Sequence, residues 1–225
     1  MFTMDFYLFS FILQLSKTIY SWIHRGFLAV TAKVLRRKGK KPGVQEKRGR
    51  FNVEKTIKDR PQEVENRKTF GHWELDTMVS SRGQSKGCLA TFVERKTRFY
   101  VAIKMDDRTK DSIFLAISSL YNTLTSKLLK TFTVDRGKEF ACFEQVENEF
   151  GIPMYFGDAY AAWQRGSNEN SNGLLREFFP EKTDLAKVTL DKLTEALMLI
   201  NNRPRKCLGF KIPFDMLKHE IKKLI

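Results

Sequence analysis

The sequence predicts an α/β fold, a mixed sheet of five strands flanked by helices with a short helical and basic N-terminal extension, and three observations predict it. Short runs rich in β-branched and aromatic residues alternate with stripes of helical period. Their order, β-β-β-α-β-α-β-α-α, combines hairpin-joined strands with strands separated by helices, the pattern of a mixed sheet covered on its faces. The 225 residues, 42% of them apolar, suffice for one well-filled core and a small appendage.

The chain opens on MFTMDFYLFSFILQL, an apolar leader with Asp5 inside it and no small-residue cleavage site, so it does not read as a signal peptide. Its uncharged run from Phe6 to Ser16 is too short for the roughly 30 Å of a bilayer core. The expectation is an atypical or truncated start rather than an interfacial anchor. SKTIYSWIHRG then predicts a short helix with Ser16 as its cap, Ile19, Trp22 and Ile23 on one face and Gly26 as its stop. From Lys33 to Arg50, nine of eighteen residues are basic and four are Gly or Pro, the composition of a flexible, phosphate-seeking linker. Residues 1–60 are therefore separated from a domain at 61–225.

Within that domain the strands are expected at Trp73–Val79, Cys88–Val93, Phe99–Lys104, Lys130–Val134 and Met154–Phe156, the first two joined by a Gly- and Ser-rich hairpin loop. Helices are expected over Asp111–Leu124, Phe143–Phe150, Asn168–Phe179 and Leu190–Asn201, the last stopped by Pro204.

Charge is unevenly spread. The formal net charge is +14, of which residues 1–60 supply +10, from 14 Lys/Arg against 4 Asp/Glu. A basic arm on a nearly balanced domain points to a polyanion, nucleic acid before an anionic membrane. Arg36, Arg37, Lys38, Lys40 and Lys41 are the densest part of that arm and its candidate DNA contacts. Cys88, Cys142 and Cys207 form neither a metal-binding spacing nor a disulfide framework and read as packing residues of a reduced compartment.

Three carboxylates stand at element ends or inside apolar runs. Asp76 lies within GHWELDTMV, where a charge is costly unless it is paired or holds a cation. Asp135 ends the strand TFTV at the carboxyl edge of the sheet, where ligands gather in open α/β folds. Glu169 sits in RGSNENSNGLLREFF, whose first turns are made of poor helix formers. On a helical wheel Leu174, Leu175 and Phe178 share one side, and Glu169, Asn172, Gly173 and Arg176 fall on the other, each within roughly 60° of its centre. Small, amidic and basic groups there suit a phosphodiester backbone, with Asn172 and Arg176 as donors to phosphate oxygens. The plainer alternative for Glu169 is an acid favoured by the helix dipole.

GHWELDT, TVDRGKEF, YFGDAYAAWQRGSNENSNGLLREFFP and NNRPRKCLGFKIP together resemble the catalytic domain of bacterial DDE transposases of the insertion sequence thirty family, in order and spacing, over about residues 50–218. SKTIYSWIHRGFL is similar to the end of that family's helical DNA-binding region, whose preceding helices the apolar leader replaces. The resemblance implies a ribonuclease H-like fold and an acidic triad of Asp76, Asp135 and Glu169. It also implies a polynucleotidyl transferase and endonuclease using two Mg²⁺, for which Mn²⁺ substitutes. Asp76 would bridge both ions. The partners implied are the element's terminal inverted repeats and target DNA, in a homodimer or larger assembly in the bacterial cytoplasm, associated with the nucleoid. Lys138 and Arg165 flank the triad as candidate phosphate clamps, and Arg203, Arg205 and Lys206 as a further grip on a DNA end. Departures from the family pattern include Arg136 beside Asp135, and Gly157-Asp158-Ala159-Tyr160 without a proline. The rival readings are a DNA-binding remnant that does not transpose, a simple nuclease, and a membrane-attached basic protein.

Overall fold

The computed structural model describes residues 18–31, 33, 55–81, 85–124, 126–158 and 161–223. Two compact units are present, Met1–Glu46 and Lys47–Ile225. In the first, residues 18–25 form helix α1, which ends at Gly26 with φ +73°, a left-handed conformation that glycine adopts without a Cβ clash. Ser16 and the basic run Arg36, Arg37, Lys38, Lys40 and Lys41 lie outside the described residues.

The second unit contains a five-stranded sheet of β1 (His72–Val79), β2 (Cys88–Glu94), β3 (Tyr100–Met105), β4 (Thr131–Val134) and β5 (Met154–Phe156), in the order β3-β2-β1-β4-β5. β1, β2 and β3 pair antiparallel, whereas β4 pairs parallel with both β1 and β5. The helices are α2 (Gln62–Asn66), α3 (Lys110–Thr123), α4 (Phe143–Phe150), α5 (Gly166–Phe178), α6 (Leu190–Asn201) and α7 (Pro213–Lys222).

Alternation along the strands sorts the core into two layers. Trp73, Leu75, Ala90 and Phe92 pack with Ile113 and Ile117 of α3 and Val146 of α4. Leu89, Val93, Tyr100 and Ala102 pack with Leu174 and Leu175 of α5 and Leu193, Ala196 and Ile200 of α6. Each such side chain contributes on the order of 1.5–3 kcal/mol by leaving water, so the three-to-four-residue spacing of the helices determines which face each one covers. Thr109 starts α3 by accepting from Ser112 N at 3.2 Å, and Gly151, at φ +68°, ends α4. The exposed edge of β3 is bonded rather than bare: Asn201 of α6 accepts from Tyr100 N at 2.9 Å and donates to Tyr100 O at 2.8 Å.

Two further helices lie outside those expected from sequence. α2 is five residues, QEVEN, with Val64 as its buried member. α7 begins on Pro213 and is anchored from afar, by Lys96 Nζ to Glu220 at 2.7 Å and by Leu217 against Phe70 and Leu128. Among the described residues, no helix is long and apolar enough to cross a membrane.

Candidate active site

The parallel pairing of β1 and β4 sets two of the three carboxylates side by side. The register pairs His72 with Thr131, Trp73 with Phe132 and Glu74 with Thr133. Continued by two residues, it puts Asp135 level with Asp76, on neighbouring strands spaced about 4.8 Å apart. The last ladder pair is Glu74 with Thr133, so both acids stand just beyond its end. Each acid is oriented by its own backbone: Asp76 Oδ1 accepts from Thr77 N at 2.8 Å and Asp135 Oδ1 from Gly137 N at 2.9 Å. Arg165, in the turn before α5, joins them, with its guanidinium 3.6 Å from Asp76 Oδ1 and 3.5 Å from Asp135 Oδ2. Burial pushes the Asp76 carboxyl above the ordinary carboxylate range; Arg165 opposes the rise and Asp135 adds to it.

The third acid arrives on α5, whose entry is held by polar groups that the sequence did not single out. Glu74, fully buried on β1, accepts from Asn168 N at 2.9 Å and so caps the helix from outside it. Asn168 Nδ2 donates to Glu74 O and Thr91 O, each at 3.1 Å, while its Oδ1 accepts from Thr91 Oγ1 at 3.2 Å. Buried Arg95 pairs with Glu74; desolvation pulls its guanidinium down to about 10, against Glu74. The helix is thereby stapled across β1 and β2, and Asn172 reaches Asp76 Oδ2 at 3.2 Å while accepting from Tyr100 Oη at 2.7 Å. Glu169, one turn before Asn172, is exposed on the same helical face, about 60° away by helix geometry. Asp76 and Asp135 thus share one cation. Glu169 stands on the helix face that meets Asp76 but outside that cluster, and no group of three His, Cys, Asp or Glu is close enough to hold a metal among the described residues. The donors present are nonetheless hard oxygens already gathered around a positive charge, which fits Mg²⁺ or Mn²⁺ rather than zinc.

Residues 66–162 match the family model of the integrase core domain. The chain is 36% identical over 187 residues to the transposase InsI of insertion sequence element IS30A from Escherichia coli (strain K12), over 82% of this chain and 48% of that protein. Residues 66–162 are thus similar to the integrase core family. The fold agrees. The catalytic core domain of BIV integrase superposes with a TM-score of 0.54 at 20% identity, over 70% of this chain and all of that one. The HTLV-2 integrase catalytic core domain, solved in complex with magnesium, gives 0.50 at 17% identity, over 64% and 94%. The sheet flanked by helices is therefore ribonuclease H-like. The chain spans about half the length of the curated relatives it matches first.

Around this integrase core the remaining expected residues separate. Lys138 is exposed beside Arg108, Lys110 and Arg136 in a cleft of about 600 Å³ near Asp135. Arg176 donates to Val79 O at 2.8 Å and Phe179 O at 3.4 Å, so it bonds the end of β1 to the end of α5. Arg136 donates to Gly157 O at 3.2 Å, and its guanidinium lies 4.0 Å from Asp158. Trp73 is core, its indole donating to Leu128 O at 2.9 Å, whereas Trp163 is 76% exposed. His72 is buried between Thr131 and Glu63, and burial lowers its pKa. Cys88 and Cys142 pack as expected, but Cys207 is exposed, because it falls on a turn outside both core layers. Tyr160 lies outside the described residues. Glu74 had one sequence signal: it is the first of two acids in HWELDT, two residues before Asp76 and so on the same strand face.

Proposed function

We propose that this integrase core is the catalytic domain of a DDE transposase, cutting DNA at the terminal inverted repeats of an insertion sequence and joining the freed 3′ end to target DNA. The observation that carries this is Asp76 and Asp135 level just beyond the last ladder pair of two parallel strands, around one shared cation, with the Glu169 face of α5 meeting Asp76 through Asn172. Asp76, Asp135 and Glu169 are the proposed ligands of two Mg²⁺ or Mn²⁺ ions. Divalent ions in such a set activate the attacking oxygen and stabilise the leaving one in an in-line displacement at phosphorus.

The chain's own residues supply placement. Asn172 and the Thr77 amide fix both oxygens of Asp76, and the Glu74 cap fixes the rotation of α5 and hence of Glu169. Arg165 and Lys138 are the proposed phosphate clamps at the cut, with Asn172 and Arg176 on the same helix face; the arm at Arg36, Arg37, Lys38, Lys40 and Lys41 holds DNA by charge alone. Residues 1–60 are proposed as arm and linker, residues 61–225 as the catalytic domain. The working form proposed is a homodimer or larger assembly on DNA in the bacterial cytoplasm, at the nucleoid.

The test is cleavage and joining of a labelled, pre-nicked duplex in Mg²⁺, Mn²⁺ or EDTA, with Asp135→Asn and Glu169→Gln beside the parent. Metal-dependent products that each variant reduces by more than about 100-fold, beyond the loss typical of an outer-shell partner, support the triad. Binding without cleavage in either metal would leave a DNA-binding remnant. Full activity in Glu169→Gln would remove that residue from the site.

A further inference from the structure

α5 carries a second polar surface. Around the helix, Ser167, Asn170 and Ser171 lie roughly 110–170° from the centre of the Glu169 and Asn172 face, and Gly166 opens the first turn beside them. They form one wall of a cleft of about 360 Å³ whose other walls include Arg67, Arg98, Arg205 and Lys206. No carboxylate lines it. We propose that this cleft is a second phosphate site, taking the backbone of the bound DNA at a phosphate other than the one being cut. The proposal rests on the reading of the chain as a DNA-cutting enzyme.

Four cationic residues converge here without an acid among the lining residues, whereas several other arginines of the domain meet acids directly. Arg95, Arg108, Arg165 and Arg203 each face a carboxylate. Arg98 donates through Nη1 to Ser167 Oγ, which fixes the guanidinium against the first turn of α5, yet its Nε is buried with no hydrogen-bond partner. A buried donor left without an acceptor is destabilising, and a phosphate oxygen is an acceptor of the right charge. Burial, and then the like charge of Arg67, lower the pKa of Arg98, while Cys207 and Glu74 oppose the shift. Arg67 and Arg98 also adopt φ +52° and +62°, where Gly or Asn would strain the backbone less, so turn geometry does not account for arginine at either position. Arg205 Nη2 donates to Ile200 O at 3.0 Å, tying the cleft to the end of α6.

The cleft lies across the first turn of α5, whose Gly166 and Asn168 amides are already held by Trp163 O and Glu74. Its distance from the carboxylates is set by the width of α5, on the order of 10 Å. That is about three base-pair rises of 3.4 Å. A duplex gripped at both faces of one helix would be fixed in rotation and register, which a single scissile-phosphate contact cannot do.

The experiment uses the full chain, with Arg67→Asn, which tolerates the left-handed backbone, and Lys206→Gln, at an exposed position. Thermal melts establish that both fold. Fluorescence polarisation of a labelled duplex is followed from about 50 to 200 mM salt. The expected result is a salt slope shallower by about one for each residue lost, with affinity several-fold weaker at about 100 mM salt. Unchanged slope and affinity in both variants would overturn the proposal and leave the strand-cutting reading to its own assay. A parent that cuts no DNA in either metal, with variants that still lose affinity, would keep the cleft and overturn the cutting reading. If inorganic phosphate stabilises the parent but not the variants while DNA binding is unchanged, the cleft takes a free anion, and its assignment to DNA is wrong.

Discussion

Glu74 and Asp76 leave the same face of β1, two residues apart, and each meets an arginine, yet they are opposite kinds of site. Glu74 and Arg95 are closed in: both are buried, and Asn168 N occupies the second carboxylate oxygen. Asp76 is open. Its side chain keeps 25% of its exposure, and Arg165 stands off at 3.6 Å while also facing Asp135 at 3.5 Å. A closed pair is retained because either partner alone would be an uncompensated buried charge. An open carboxylate whose cation is shared and distant can exchange that cation for another. The first arrangement builds a fold; the second leaves a place for chemistry.

Breaking the closed pair should have the largest effect. Glu74→Ala strands Arg95 and removes the cap on α5, and denaturant melts are expected to show a loss of about 3–5 kcal/mol. Asp76→Asn should do the reverse, with cleavage down by more than about 100-fold and the fold intact. Its stability has a definite sign. The folded-state pKa of Asp76 is raised, so ionising it costs stability as pH climbs from the unfolded value through the folded one. Without metal at neutral pH, Asp76→Asn should therefore melt no lower than the parent, and a clearly lower melting temperature would show that Asp76 is structural. The smallest effect expected is from Arg165→Gln. Removing the shared cation should tighten Mn²⁺ binding several-fold, read as added thermal stabilisation by the metal; equal or weaker stabilisation would show that Arg165 does not stand where the metal binds.

Much of this was legible in the residues. Period separated β1, β2 and β3 from α3 and α6, because an apolar face must repeat at the period of the element that buries it. Phe143–Phe150, Met154–Phe156 and Leu190–Asn201 end where Gly, Pro and capping residues say they should. Asp76 and Asp135 could be picked out because a carboxylate inside or at the end of an apolar strand needs a reason. Glu74 sits in the same strand and was passed over, since nothing local marks which of two acids will be sealed by a helix arriving some ninety residues later.

What the sequence determined by itself was the five strands, four helices of the sheet domain and the basic arm, all of which depend on neighbours within a few turns or on composition. What only the tertiary structure decided was pairing: that Asp135 lies level with Asp76, that Arg165 serves both, that Glu74 belongs to Asn168, and that Arg67, Arg98, Arg205 and Lys206 face one cleft. Those partners are brought together by strand order and helix packing, which pay no regard to distance along the chain. A charge becomes a structural tie or an open site according to which of them it meets.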